Sequence, residues 1–155
     1  VDDRLTLAIA HGKRTKEKIA VIFLDLDKFK DVNDTFGHEG GDVLLKEVAR
    51  RLQFCIRDGD TASRMGGDEF LIILPNLKEC KEASQIVNRI LKQCKQPFLI
   101  NNQTVEISAS LGVSFFPHDG DTITSLMRNA DIAMYKCKEQ GRDGICYFNG
   151  FAFED

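Results

Sequence analysis

The chain has 155 residues, of which 43% are hydrophobic and 29% are charged, proportions that are ordinary for one globular domain with its own core. Its formal net charge is -3, which gives no general reason to expect a nucleic-acid-binding protein. No apolar run approaches the roughly 20 residues that a membrane-spanning helix requires. The composition therefore favours a single globular domain over either of those classes.

The sequence contains five cysteines, an odd number, and they are widely spaced without a CxxC pair. Most of them fall in or beside apolar patterns, which favours buried, reduced thiols over a zinc site or disulfides. Reduced thiols indicate a cytoplasmic location for the domain, although the full-length parent could be attached to a membrane. The five are Cys55, Cys80, Cys94, Cys137 and Cys146.

The first predicted elements are a helix and a buried strand. Residues 1–17 are predicted to be helical, and their abrupt start suggests that the chain is a fragment of a longer protein. Residues 20–24 form a continuous apolar run, which is typical of a central strand covered on both faces. This strand ends in Asp25-Leu26-Asp27, and a period of two puts both carboxylates on one face. A pair of helix-capping acids is the alternative interpretation.

Two helices separated by a break are predicted next. Residues 28–36 form a short helix, and the glycine-rich segment 37–41 ends it. Asp42 is then expected to be the N-cap of a long helix that reaches about Ile56, because its apolar residues recur at helical spacing.

A β-hairpin is predicted after this helix, with strands near residues 61–65 and 69–74. Its turn contains Gly66-Gly67 and is followed by Asp68-Glu69. Glycine takes positive φ at little steric cost, so this pair favours a tight turn that a large anion can approach. Two adjacent carboxylates at such a turn would need a cation to hold that anion, and Mg²⁺ prefers oxygen ligands together with substrate phosphates. An exposed acidic hairpin is the alternative.

The remaining pattern predicts an α+β fold with a ferredoxin-like βαββαβ core and an extra helix and strands. The last predicted elements are a helix over about residues 78–95, strands over 98–100 and 105–114, a helix over about 123–140, and a strand over 145–148.

In a βαββαβ fold the first strand lies beside the central hairpin. Asp25 and Asp27 are therefore expected to meet Asp68 and Glu69. Converging carboxylates repel one another unless a divalent metal neutralises them. The sequence thus predicts a metal-dependent site for phosphoryl or nucleotidyl transfer.

Six motifs in matching order give the chain its resemblance to the GGDEF domain of the diguanylate cyclase family. The resemblance covers nearly all of residues 1–155 as one domain, and it implies the nucleotide-cyclase relative of the polymerase palm fold. The motifs are Phe23–Lys30 (FLDLDKFK), Asn33–His38 (NDTFGH) with Gly41-Asp42, Arg64–Phe70 (RMGGDEF), Ser110–Val113 (SLGV), Ala130-Asp131, and Lys138–Arg142 (KEQGR).

The resemblance implies that the domain condenses two GTP molecules to cyclic di-GMP and releases two pyrophosphates. Each 3′-hydroxyl would attack the α-phosphate of the other GTP, so the active state would be a homodimer. The resemblance implies Mg²⁺, or Mn²⁺, held by Asp25, the Leu26 carbonyl, Asp68 and Glu69. Asp68 and Glu69 would also assist the attacking hydroxyl, and Lys30 would stabilise phosphate charge.

Substrate-binding and regulatory residues follow from the same resemblance. Asn33 and Asp42 would bind the guanine edge, with His38 near the nucleoside. Lys138 and Arg142 would bind the terminal phosphates, and their i, i+4 spacing predicts one shared helical face. A basic helix end that complements the helix dipole is the alternative for these two cations.

Arg57 and Asp60 match the RxxD inhibitory site of the family, which binds the product, cyclic di-GMP. The pair is three positions apart and lies a short strand away from the hairpin turn. Arginine can fork onto guanine or phosphate, and aspartate can accept from the guanine edge. The alternative is a surface ion pair that closes a helix.

Three departures from the family pattern stand out. The turn that usually precedes the first helix is missing, Cys137 replaces the usual alanine, and Asp143-Gly144 replaces an asparagine. Residues 97–148 also resemble domains that precede an EAL phosphodiesterase domain, so attached sensory or EAL domains are expected in the parent protein. A GTP-binding or cyclic di-GMP-sensing regulatory domain therefore stays open as the alternative function, as does a cyclase that makes another cyclic nucleotide.

Overall fold

The structure is a computed structural model that describes residues 2–150. The order of helices and strands along the chain contains the predicted βαββαβ core. The elements are α1 (Asp2–Thr15), β1 (Lys18–Asp27), α2 (Phe29–Cys55), β2 (Thr61–Gly66), β3 (Glu69–Leu77), α3 (Cys80–Cys94), β4 (Phe98–Ile100), β5 (Gln103–Val105), β6 (Ser108–Phe116), α4 (Ile123–Glu139) and β7 (Gly144–Tyr147).

Five of the strands form one sheet in the order β2-β3-β1-β6-β7. Strand β1 is central and antiparallel to both β3 and β6, while β7 runs parallel to β6. The predicted α+β class and the predicted neighbourhood of β1 and the hairpin are both confirmed. Among residues 2–150, no helix is long and apolar enough to cross a membrane.

Helices cover both faces of this sheet, and the side chains of each strand alternate between the two faces. Ile22 and Leu24 belong to the larger hydrophobic cluster, which contains the buried residues of α2 and α3. Val21 and Phe23 belong to a second cluster with buried residues of α1 and α4. The same alternation places the carboxylate of Asp25 on the α4 side.

Helix α2 corrects the prediction that Asp42 is an N-cap. Two helical stretches make up α2 between Phe29 and Cys55, and they are interrupted at Gly37, whose φ of 75° and ψ of 177° are not helical. The predicted break is therefore confirmed, but the second stretch begins before Asp42. Gly40 and Gly41 lie inside the helix and are buried. A glycine-rich segment lowers helix propensity without preventing helix formation, and here tertiary contacts override the local preference.

The predicted strand over residues 105–114 is also wrong, because the structure divides it. Strand β5 pairs only with β4, across a turn in which Asn101 and Asn102 have φ of 51° and 64°. Strand β6 begins at Ser108 and pairs with β1. The two strands thus belong to different sheets, and pairing partners, which a single strand pattern does not specify, decide the division.

Candidate active site

The end of β1 and the Gly-Gly hairpin turn come together, as the sequence predicts. Asp25 pairs with Glu69 across the antiparallel strands, and the Leu26 amide donates to the Asp68 carbonyl oxygen at 3.2 Å. Gly66 and Gly67 turn the chain with φ of 152° and 53°. The turn therefore holds two acidic residues beside the carboxylate that ends the central strand.

The Asp25 side chain is 10% exposed, and the two oxygens of its carboxylate have different surroundings. Its Oδ2 accepts a hydrogen bond from Lys138 Nζ. Its Oδ1 is buried without a hydrogen-bond partner. Burial raises the pKa of Asp25 to about 6, the bond from Lys138 opposes this rise, and the neighbouring Asp68 carboxylate adds to it. The site therefore contains more negative charge than its described donors satisfy.

This surplus of carboxylate oxygens fits a divalent cation. Neither Asp25 nor Asp68 can donate a hydrogen bond to the other when both are ionised. Within the described part of the chain, no group of three or more His, Cys, Asp or Glu side chains could hold a metal ion by itself. The side chains would therefore supply only part of the ligands of such a cation. Two carboxylates and a backbone carbonyl suit Mg²⁺, which keeps several waters and takes its other ligands from substrate phosphates.

A pH dependence of stability follows from the buried Asp25 carboxylate. Its pKa rises from 3.8 to about 6 in the folded protein, so between these values the folded state keeps a proton that the unfolded chain has released. The stability of the metal-free protein should fall as the pH rises through this window. Urea unfolding of the wild type and of Asp25→Asn across the window would measure this. Parallel curves for the two proteins would contradict the prediction.

Asp27 has a role that the sequence analysis missed when it grouped this residue with the metal-binding acids. The Asp27 side chain is 1% exposed and accepts hydrogen bonds from Ser108 Oγ at 2.6 Å and Ser110 Oγ at 2.8 Å. It also accepts from the Asp143 amide at 3.0 Å. Asp27 therefore links β1 by hydrogen bonds to β6 and to the turn after α4. The two serines at a spacing of two residues were the available sequence signal.

Lys138 and Arg142 both reach the carboxylates, but they do not share a helical face as predicted. Helix α4 ends at Glu139, and Arg142 lies in the following turn with a φ of 65°. Its amide donates to the Cys137 carbonyl at 3.0 Å, and its guanidinium Nη1 lies 3.9 Å from Asp27 Oδ1. Lys138 in the helix and Arg142 in the turn therefore lie at the same end of the sheet.

The kink in α2 brings the predicted guanine-binding residues close together. A Cβ on Gly41 would lie 2.0 Å from Asn33 Oδ1, so only glycine lets the Asn33 side chain approach the residue that precedes Asp42. Asp42 in turn borders a cleft of about 380 Å³ between α2 and the hairpin, which Phe70 and Arg64 also line. This cleft has a suitable volume for a small ligand.

Arg64 is a second residue that the sequence analysis did not assign. Its Nε donates to the Gly67 carbonyl at 2.9 Å, and this hydrogen bond stabilises the hairpin turn beside the cleft. Lys30 and His38 are exposed on α2, and no described contact joins either of them to the carboxylates. Their assigned roles stay predictions.

Arg57 and Asp60 form a close ion pair at the end of α2. The guanidinium forks onto both carboxylate oxygens, at 3.0 and 2.8 Å, and the Arg57 amide donates to Asp60 Oδ2 at 2.8 Å. The guanidinium also donates to the Pro75 carbonyl at 2.8 Å. The Asp60 side chain is 1% exposed and that of Arg57 is 38% exposed. Of the two groups, the guanidinium is therefore the one that an incoming ligand can contact.

Comparison with known proteins identifies the family. The pattern described as "Diguanylate cyclase, GGDEF domain" matches residues 1–144. The bifunctional diguanylate cyclase/cyclic di-GMP phosphodiesterase MucR of Pseudomonas aeruginosa is 46% identical over 148 residues, which are 96% of this chain and 22% of MucR. The diguanylate cyclase TpbB of the same organism is 36% identical over 142 residues, which are 91% of this chain and 33% of TpbB. This chain spans about a fifth of the length of the first curated relatives, at 22%, 18% and 17%.

Two crystal structures of relatives support the same assignment. The GGDEF domain of TpbB matches with a TM-score of 0.92 and 34% identity, covering 94% of this chain and 91% of that one. The GGDEF domain of DgcB from Caulobacter crescentus, in complex with c-di-GMP, matches with a TM-score of 0.85 and 28% identity, covering 96% and 88%. Together with the hairpin, the buried carboxylates and the two cations opposite them, these matches show that the chain belongs to the GGDEF family of diguanylate cyclase domains.

Proposed function

We propose that this domain is a diguanylate cyclase that converts two GTP molecules to cyclic di-GMP and two pyrophosphates. The observation that carries the proposal is the buried, unpartnered Oδ1 of Asp25. It lies beside Asp68 and the Gly-Gly turn, and Lys138 and Arg142 face the same end of the sheet. The arrangement combines oxygen ligands for a dication with fixed cations for phosphate charge.

Substrate binding would use both sides of the hairpin. Asn33 and Asp42 would bind the guanine base beside the cleft between α2 and the hairpin, because guanine presents an acceptor and donors on the edge they would face. Lys138 and Arg142 would bind the β- and γ-phosphates. Lys138 already makes an ion pair with Asp25, so its charge can be shared between the carboxylate and an incoming phosphate. His38 is proposed to lie near the nucleoside.

The chemistry would proceed at the end of β1. Asp25, the Leu26 carbonyl and Asp68 would hold Mg²⁺, with Glu69 supporting a second ion, and Mn²⁺ could substitute. The metal would supply stabilisation of the charge that develops on the phosphates. Asp68, supported by Glu69, would take the proton of the 3′-hydroxyl as its oxygen forms a bond to the α-phosphorus and pyrophosphate leaves. Lys30 would stabilise negative charge on the phosphate.

One site holds one GTP, and the product contains two nucleotides joined head to tail. Two domains must therefore face each other with opposed substrates, and we propose a homodimer as the active state. The same bond formation then occurs twice, once in each direction, and closes the cyclic product. Other domains of the parent protein, including an EAL domain, would control how often two GGDEF domains meet.

The first experiment is nucleotide chromatography after incubation of concentrated protein with GTP and Mg²⁺. The expected product is cyclic di-GMP, with none formed when a chelator removes the metal or when ATP replaces GTP. GTP binding in calorimetry without any product would favour the regulatory alternative. A cyclic product formed equally well from ATP would contradict the assignment of Asn33 and Asp42 to guanine.

Product inhibition provides a separate test at the ion pair of Arg57 and Asp60. We propose that the exposed Arg57 guanidinium binds cyclic di-GMP while the buried Asp60 carboxylate holds it in position. Arg57→Ala should therefore abolish the slowing of turnover by added product, because the charged fork that binds it is gone. The measurement is the ratio of initial rates with and without added cyclic di-GMP.

The matched control is Arg50→Ala, which removes an arginine within α2 that forks onto a glutamate, Glu47. Inhibition should persist in this variant. Inhibition that survives in Arg57→Ala would contradict the assignment. The ratio is used because Arg57→Ala leaves a buried carboxylate with fewer donors, which would lower the amount of folded protein without changing the ratio.

A further inference from the structure

Two cysteines face each other at the end of the sheet that carries the phosphate-binding cations. Cys146 in β7 pairs with Gly112 in the neighbouring strand, so the two residues point to the same face. Gly112 faces α4, because a Cβ there would lie 2.1 Å from Met134 N. Cys146 therefore faces α4 as well, near the last turn of that helix, which contains Cys137.

A second observation places the Cys137 sulfur over β7. A Cβ on Gly144, two residues before Cys146 and on the same face, would lie 3.6 Å from Cys137 Sγ. The side chains of Cys137 and Cys146 interact directly, and Cys146 Sγ also donates to Gln140 Oε1 at 3.4 Å. The two thiols are therefore neighbours that belong to different elements.

Access to solvent distinguishes this pair from the other neighbouring pair of cysteines. Cys55 and Cys94 are 1% and 2% exposed, and burial raises the pKa of Cys94 to about 12. Cys137 is 4% exposed, whereas Cys146 is only partly buried. A small oxidant can thus reach Cys146, and the thiol that could resolve the product lies beneath it.

We propose that Cys137 and Cys146 are a thiol modification site that a peroxide closes to a reversible disulfide. The Cys146 thiolate attacks one peroxide oxygen and breaks the O–O bond, which gives a sulfenic acid and water after proton transfer. The Cys137 thiolate then attacks the sulfenyl sulfur, so the S–S bond forms as the S–O bond breaks, and the hydroxide that leaves takes up the proton that the Cys137 thiol released and becomes a second water. Two thiols are oxidised, one peroxide is reduced to two waters, and a dithiol reductant reverses the reaction.

The position of the disulfide couples it to nucleotide binding. The bond would join the last turn of α4 to β7 and close a loop that contains Lys138 and Arg142. Cys146 would also lose its hydrogen bond to Gln140 when its sulfur moves towards Cys137. Lys138 follows Cys137 directly, so a shift of that turn moves the ammonium group relative to Asp25. We expect the oxidised protein to bind GTP more weakly. This step rests on the proposed function, whereas disulfide formation does not.

The test is peptide mapping of the folded protein after treatment with hydrogen peroxide in mildly alkaline buffer. Burial raises the pKa of Cys146 and the adjacent Cys137 adds to this, so alkaline buffer increases the reactive thiolate. Trypsin cuts after Lys136, Lys138 and Arg142. The expected product is the dipeptide Cys137-Lys138 joined to the peptide that begins at Asp143, and it is lighter than the two reduced peptides by two hydrogens.

The variant Cys146→Ser and the pair Cys55/Cys94 serve as controls. In Cys146→Ser the cross-linked peptide should be absent, and in the native wild type Cys55 and Cys94 should stay reduced until denaturant is added. Sulfinic acid at Cys146 without a cross-link would overturn the proposal. A bridge between Cys55 and Cys94, or between two chains, in its place would also overturn it.

Calorimetric titration with GTP separates the two claims. Oxidation should weaken GTP binding of the wild type, reductant should restore it, and Cys146→Ser should bind equally before and after peroxide. An intramolecular bridge without any change in affinity would overturn the coupling to nucleotide binding. Reduced protein that binds no GTP would instead contradict the proposed function, and the peptide map would still decide the disulfide.

Discussion

Asp68→Ala is expected to abolish cyclic di-GMP synthesis, with a loss of at least about 10³-fold in rate. In the proposed mechanism Asp68 serves both as a metal ligand and as the acceptor of the hydroxyl proton, so one substitution removes two functions. The fold should survive, because the residue lies at a hairpin turn and its backbone carbonyl still accepts from the Leu26 amide. The measurement is product formation from GTP and Mg²⁺, together with thermal unfolding.

The free energy of unfolding of Asp68→Ala provides a second test. Asp68 raises the pKa of the buried Asp25 carboxylate by like-charge repulsion, after the larger effect of burial. Without Asp68 the metal-free protein should be at least as stable as the wild type at neutral pH, and Mg²⁺ should stabilise it less. A general unfolding defect would predict the opposite change in stability.

Asp121→Ala is the matched control for Asp68→Ala. Asp121 is exposed in the loop that follows β6, at the end of the sheet away from Asp25. The control should retain wild-type turnover and wild-type stabilisation by Mg²⁺. Residual cyclase activity in Asp68→Ala close to that of the control would contradict the assignment of the metal and the proton acceptor to the hairpin.

Gly112→Ala is expected to destabilise the protein by about 3 kcal/mol or more, a large part of the 5–15 kcal/mol typical of a domain. A Cβ at this position would lie 2.1 Å from Met134 N, 2.2 Å from the Ala130 carbonyl oxygen and 2.7 Å from Met134 Cα. All three are backbone atoms of α4, so the whole helix would have to move. Urea unfolding measures the effect.

Gly144→Ala provides the comparison in the neighbouring strand. A Cβ there would have its nearest contact, Cys137 Sγ, at 3.6 Å, which is ordinary van der Waals separation. This variant should change the free energy of unfolding by no more than about 0.5 kcal/mol. Equal destabilisation by the two substitutions would show that loss of glycine in the strand, rather than contact with α4, determines the cost.

The position of α4 also connects this stability prediction to function. The helix packs against Gly112, and its last turn contains Lys138, which lies beside Asp25. A displacement of this helix by the width of one methyl group would therefore separate the Lys138 ammonium group from the Asp25 carboxylate. If Gly112→Ala still folds, its affinity for GTP should be lower than that of the wild type.

Local patterns in the sequence were sufficient for the elements that present the candidate metal site. The apolar run before Asp25 predicts a buried central strand, because a short continuous hydrophobic stretch is typical of a strand that is covered on both faces. The Gly66-Gly67 pair specifies the turn, because that turn requires positive φ. Both depend on interactions within a few residues, and the structure confirms both.

Predictions that relied on local signals for helix ends were less successful. Asp42 has a residue type that favours an N-cap and follows two glycines, yet it lies inside α2. Asn33 contacts Gly41 across the kink. This contact exists only in the folded helix, so local sequence signals do not reveal it. Arg142 has the spacing of a helical neighbour of Lys138, but α4 ends at Glu139, and the hydrogen bond from Asp143 to Asp27 fixes the turn that follows.

By itself the sequence determined the fold class and the acids at the end of β1 and at the hairpin turn, since periodicity and turn chemistry act over short distances along the chain. Its motifs also carried the resemblance to the family that the comparisons then showed. Only the tertiary structure decided that Asp27 binds two serines and that Cys137 lies against Cys146. Each of these pairings depends on which strand or turn packs beside which, and burial then sets the energy of the polar groups that meet there. Such contacts are fixed by packing between elements, which no single stretch of sequence encodes.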